Sequence, residues 1–275
     1  IQTGVNLNPF GNTMKHNYKA ILLLLAFTFC HLFMRQLWGE SWSETLLELD
    51  GQSYLLLSLA SWTFVYSPFL ICALVIFNDQ HWADIFGVKV EGSYKYLLAA
   101  TLCCLPMFIG YSSLSEDLNL SLADVITGSV YPAFFEEIIF RAVLFGMLYR
   151  FCHWGFIKAA LTSSLIFGIG HLYQSSDFGS ALLLFGFMAV AGSWFAWLFC
   201  ECENKIWFPM WMHLLMNAAY GVFNMSGGAI GELDSNLYKG SAIILSIVYV
   251  QWQIKKGKPR EVNLNNLWSK KPLFN

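Results

Sequence analysis

The sequence predicts an all-α fold: a polytopic transmembrane bundle of about eight helices, with both termini cytoplasmic. Three observations carry this. Of 275 residues, 56% are hydrophobic and only 12% charged, against about 25% charged in average soluble domains. So little charge cannot cover a soluble surface of ordinary size, and the same balance excludes intrinsic disorder. Apolar stretches near the roughly 20 residues that a spanning helix needs recur at 20–38, 54–77, 94–112, 122–149, 156–173, 180–200, 206–223 and 240–254. The fifth and eighth are short. Finally, basic residues alternate from loop to loop in step with these helices, as the positive-inside rule requires.

Taken in order, residues 1–19 are a polar N-terminal extension expected to be disordered. Within it, 1–13 read as sequence upstream of a natural start at Met14, which Lys15 and Lys19 follow. The apolar run after those lysines continues to Trp38 with no A-x-A site, so it reads as a retained anchor rather than a signal peptide. The next loop holds Glu40, Glu44, Glu48 and Asp50 without Lys or Arg. His81–Ser93 mixes apolar and charged residues, as a short amphipathic or re-entrant cytoplasmic element or a plain loop would. The loop after helix three is acidic (Glu116, Asp117, Asp124), and Arg150 and Lys158 flank the loop after helix four. Asp177 follows helix five, Lys205 helix six, and Glu232, Asp234 and Lys239 helix seven. Lys255, Lys256, Lys258 and Arg260 open a loose basic cytoplasmic tail, 255–275. Residues 20–254 form one transmembrane domain, with its motif core at 130–223.

Net charge is −2, so no nucleic-acid partner is expected. The seven cysteines lie mostly in or beside apolar runs and read as small packing residues.

Helix four carries charges where charge is expensive. Glu136, Glu137 and Arg141 fall near its middle, and a charge at the bilayer centre costs roughly 3 kcal/mol on insertion scales. Glu137 and Arg141 are four residues apart and can pair on one face. Glu136 is rotated about 100° from Glu137 and has no partner on its own helix. A buried carboxylate without a partner has its pKa raised by desolvation, which suits a general base or acid. Pro132, four residues earlier, should bend the helix there. His171 closes helix five with Phe167 one turn before it. His213 lies in helix seven with Asn217 one turn after it. Together these groups supply a base, a proton partner and oxyanion donors. His31 stands alone in helix one and reads as a core residue, while His16, His81 and His153 fall in cytoplasmic segments.

Glu136-Glu137-x-x-x-Arg141, Phe167-x-x-x-His171 and His213-x-x-x-Asn217 resemble, in order and spacing, the three motifs of the CPBP family. These are the CAAX proteases and bacteriocin-processing enzymes, also called ABI or Rce1-like intramembrane proteases. The resemblance covers roughly 130–223. It implies an intramembrane endopeptidase in which Glu136 activates water with help from His171, His213 and Asn217 stabilise the oxyanion, and Glu137, Arg141 and Phe167 support the site. The partners it implies are the bilayer and a membrane-associated peptide or protein, lipid-modified or not, with the chain in a plasma membrane, most naturally a bacterial inner membrane. No cofactor is expected. The alternative is a His₂Glu zinc site of Glu136, His171 and His213, although no H-E-x-x-H is present. A non-catalytic membrane binding or immunity protein on the same scaffold is the competing reading, and a proton- or ion-coupled transporter ranks behind both.

Overall fold

The computed structural model describes residues 9–34, 36–37, 51–227 and 230–269. Among them the chain is all-helical, with a single isolated bridge between Trp154 and Ser269 in place of any sheet. Each of the eight expected segments is helical among the described residues, and Arg35 and Trp38 of the first lie outside them. Helix α1 (Pro9–Thr28) runs on as a π-helical Phe29–Met34. Proline is well placed at a helix start, where its missing N–H is no loss. The expected disorder of 1–19 does not hold from residue 9 onward, and 1–8 lie outside the described residues. Next come α2 (Gly51–Ile76), a single turn α3 (Trp82–Ile85) and α4 (Ser93–Leu114). The mixed stretch at 81–93 is thus a capped helical turn, with the His81 ring accepting the Ala83 amide at 3.2 Å.

The fourth segment is one continuous helical run of changing pitch: α5 (Leu122–Val125), a π-helical Ile126–Val130, α6 (Tyr131–Glu136), a π-helical Glu137–Phe145 and α7 (Gly146–Arg150). This central helix is followed by α8 (Phe156–Ile169), a 3₁₀ turn (Leu172–Gln174), α9 (Phe178–Glu201), α10 (Trp207–Val222) and α11 (Leu233–Lys255). Asp177 and Ser180 form a reciprocal capping box at the start of α9, which satisfies amides that a helix start leaves open.

Four of these helices are long and apolar enough to cross a membrane: Asn17–Met34, Gly51–Ile76, Ser93–Leu114 and Phe178–Glu201. The central helix carries Glu136, Glu137 and Arg141, and α8 has 14 residues. Helix α8 packs on α9, and α4 lies against α10 and α11. Every side chain from Glu137 to Arg150 is buried, so the central helix is walled in by the others. All seven cysteines are free thiols.

The tail departs from expectation. Residues 258–269 are strapped onto the bundle. The buried Glu201 carboxylate accepts the amides of Glu261 and Val262, both at 3.1 Å. Glu261 is fully buried and accepts the Tyr149 hydroxyl at 2.8 Å. The Asn266 and Leu267 carbonyls accept the amides of Phe156 and Ile157, which open α8. Lys258 pairs with Glu203 at 3.3 Å, and Arg260 donates to Gln251 at 2.8 Å. These polar groups find partners within the fold, and that holds the segment where a loose basic tail was expected.

Candidate active site

The two glutamates straddle a change of helical pitch. Glu136 is the last residue of α6 and Glu137 the first of the π-helical stretch. Such π segments cluster at functional sites because the altered hydrogen-bond step re-aims side chains. Glu137 is fully buried, with Oε2 3.4 Å from Arg141 Nε, so the expected pair forms. Its other oxygen, Oε1, lies 2.8 Å from His213 Nδ1. A carboxylate only accepts, so this Nδ1 carries the proton and donates. The imidazole is thereby turned so that Nε2 faces Glu136 Oε2 at 3.8 Å. One histidine from α10 thus bridges two adjacent carboxylates of the central helix. Glu136 makes no direct hydrogen bond among the described residues, and its side chain keeps 14% exposure.

Arg141 shows how a buried cation is held here. Its guanidinium nitrogens make no hydrogen bond within the described residues. Two aromatic faces flank it instead: Phe167 at 4.6 Å and Phe195 at 5.0 Å from the guanidinium carbon. Cation–π attraction strengthens when the pair is desolvated. Phe195 also lies against the His213 ring, centroids 5.4 Å apart. One phenylalanine in an aromatic-rich apolar helix carries no signal in sequence, so residue order does not single out Phe195.

The remaining motif residues stand further off. His171 lies past the end of α8, not within a span as expected. The helix closes at Ile169, and Gly170 caps it. His171 Nδ1–H donates to the Phe167 carbonyl at 2.9 Å, and Nε2 makes no hydrogen bond among the described residues. Its ring rests on Phe167, centroids 4.4 Å apart. It therefore reaches the Arg141 cluster through Phe167. Asn217 Nδ2 donates to the Gly128 carbonyl at 3.3 Å. Gly128 lies in the π-helical stretch of the central helix, and Asn217 donates to it from α10. In this arrangement Asn217 braces the central helix.

Among the described residues, no three His, Cys, Asp or Glu side chains converge as a metal-holding group. Glu136 and His213 Nε2 could serve as two zinc ligands, and a carboxylate on the far ring nitrogen is the usual way to orient a ligating histidine. His171 would have to move in to complete the set.

Residues 118–219 match the family model for type II CAAX prenyl endopeptidase Rce1-like proteins. The matched stretch is an Rce1-like segment. It holds all seven residues of the three motifs. Among curated proteins, "Putative membrane peptidase YdiL" of Bacillus subtilis (strain 168) is 41% identical over 93 residues, which is 34% of this chain and 34% of that protein. The chain thus spans about a third of that relative's length. No solved structure gives a significant match. The Rce1-like segment supplies the central helix, α8, α9 and most of α10, whereas α1, α2 and α4 lie outside it.

Proposed function

We propose that this chain is an intramembrane endopeptidase of the plasma membrane. It crosses that membrane several times, both termini cytoplasmic, and hydrolyses a peptide bond of a membrane-associated protein or peptide. One observation carries the reading: His213, oriented by the buried Glu137, presents Nε2 to a second carboxylate, Glu136, that has no hydrogen bond of its own. The match of 118–219 to an endopeptidase family supports it. In this mechanism Glu136 takes a proton from water as the water oxygen bonds to the scissile carbonyl carbon. His213, protonated at Nε2, donates to the oxyanion. The carbon–nitrogen bond then breaks, and the proton held by Glu136 passes to the leaving amine. His171, its tautomer set by the Phe167 carbonyl, helps orient the water through Nε2. Asn217 adds a second oxyanion donor once it releases Gly128. The steps need no cofactor. Zinc held by Glu136, His171 and His213 is the alternative, which retained cleavage in a chelator would discard.

The test compares protein termini by mass spectrometry in native cells carrying wild-type protein or Glu136→Gln at equal abundance. New termini found only with wild type are expected, and they name the substrate, lipid-modified or not. Identical termini from two well-folded proteins would overturn the reading in favour of a binding or immunity role.

A further inference from the structure

His31, alone in its apolar helix by sequence, is not isolated in the fold. It is joined to Tyr66 of α2 by a 3.1 Å hydrogen bond between Nδ1 and the phenol oxygen. Tyr66 is buried, and a buried phenol needs such a partner. Two chains of rings leave this pair. In one, His31 stacks on Phe27 at 5.3 Å, Phe27 meets Phe140 at 5.6 Å, Phe140 meets Phe167 at 4.9 Å, and Phe167 meets His171 at 4.4 Å. That chain closes on itself, because a Cβ at Gly170, next to His171, would stand 3.8 Å from His31 Cε1. In the other, Tyr66 stacks on Trp62 at 5.7 Å, and Trp62 lies flat on Phe135 at 5.3 Å with rings 6° apart. Phe135 directly precedes Glu136. The pair therefore sits where a chain ending at His171 joins a chain ending beside Glu136, two motif residues that no hydrogen bond or ion pair joins among the described residues.

We propose that His31 and Tyr66 form a positioning pair that holds the Gly170–His171 turn in place relative to Glu136. Both lie outside the matched segment, so α1 and α2 would be part of the working site and not only its lipid-facing jacket. The proposal rests on the endopeptidase reading above. Aromatic contact alone would need no polar tips. The hydrogen bond fixes the rotation of the His31 ring against Gly170, and small displacements of a reacting group cost up to about a hundredfold in rate.

The test uses the full chain in lipid nanodiscs with a peptide that the wild-type chain cleaves. His31→Phe keeps the stack on Phe27 and removes the hydrogen bond, Tyr66→Phe removes the hydroxyl, and His31→Gln retains a polar tip. Each single variant is expected to lower kcat roughly tenfold to a hundredfold with KM changed by less than about twofold. The double variant should be no worse than the singles, and His31→Gln should recover part of the rate. In parallel, ¹⁵N-histidine NMR should show the His171 resonances move in His31→Phe and Tyr66→Phe while those of His213 stay. Full kcat in both Phe variants, multiplying losses, or equal shifts at His171 and His213 would each overturn the proposal. A Glu136→Gln control that still cleaves would instead sink the endopeptidase reading, and the NMR arm would still decide the positioning claim.

Discussion

The four long apolar helices and the central helix use hydrophobicity in opposite ways. In the four spans, between 22% and 39% of the most apolar window is buried inside the protein, and large side chains such as Leu182 and Val190 point outward. The central helix is buried at every position from Glu137 to Arg150, yet it holds Glu136, Glu137 and Arg141. Hydrophobicity thus marks the jacket, and the chemistry lies on the buried helix inside it. Polar groups can occupy such a position only when each finds a partner inside. Here the partners are His213, Arg141 and two phenylalanine faces.

The sharpest way to break this comparison is to strip the central helix of one partner. Arg141→Met should cost roughly 3–5 kcal/mol of stability, because a buried Glu137 loses its cation. The double variant Glu137→Gln/Arg141→Met should recover a large part of that. Denaturant unfolding of both in nanodiscs measures the difference, and additive losses would mean that the pair is not a unit. Next in size is paired truncation. Leu144→Ala, at a fully buried position of the central helix, should cost about 2–5 kcal/mol. Leu182→Ala, 61% exposed on α9, should stay within about 0.5 kcal/mol. Equal losses would erase the contrast between jacket and centre. The smallest effect lies at the surface. Lys19 hydrogen-bonds Asp79 at 2.9 Å and holds its carboxyl below the usual carboxylate range. A depressed folded value means that this contribution is present above the unfolded pKa of about 4 and lost as pH falls through the folded one. Asp79→Asn should therefore lower Tm slightly at neutral pH and leave it unchanged in acid.

Much of this was legible from residue order alone. The eight helices follow from apolar runs, and the pairing of Glu137 with Arg141 follows from helical spacing. The brace at Gly128 was not legible, since nothing in the sequence says that Asn217 would reach that carbonyl from α10. The role of His213 as a bridge was not legible. It depends on how α10 lies against the central helix, which spacing within one helix does not encode. His31 was read as a lone core residue because its partners, Tyr66 and the Gly170 turn, stand far from it in sequence. The tail failed for a related reason: its anchors are backbone amides meeting a distant carboxylate, and backbone groups leave no trace in composition.

That strap has a consequence for how the protein is made. Tyr149 and Glu201 are synthesised well before residues 258–269, which supply their partners. While the chain is still being threaded into the bilayer, the ends of the central helix and of α9 carry polar groups waiting for a segment not yet translated. Assembly at that edge of the bundle is completed late, whatever the order in which the helices enter the membrane.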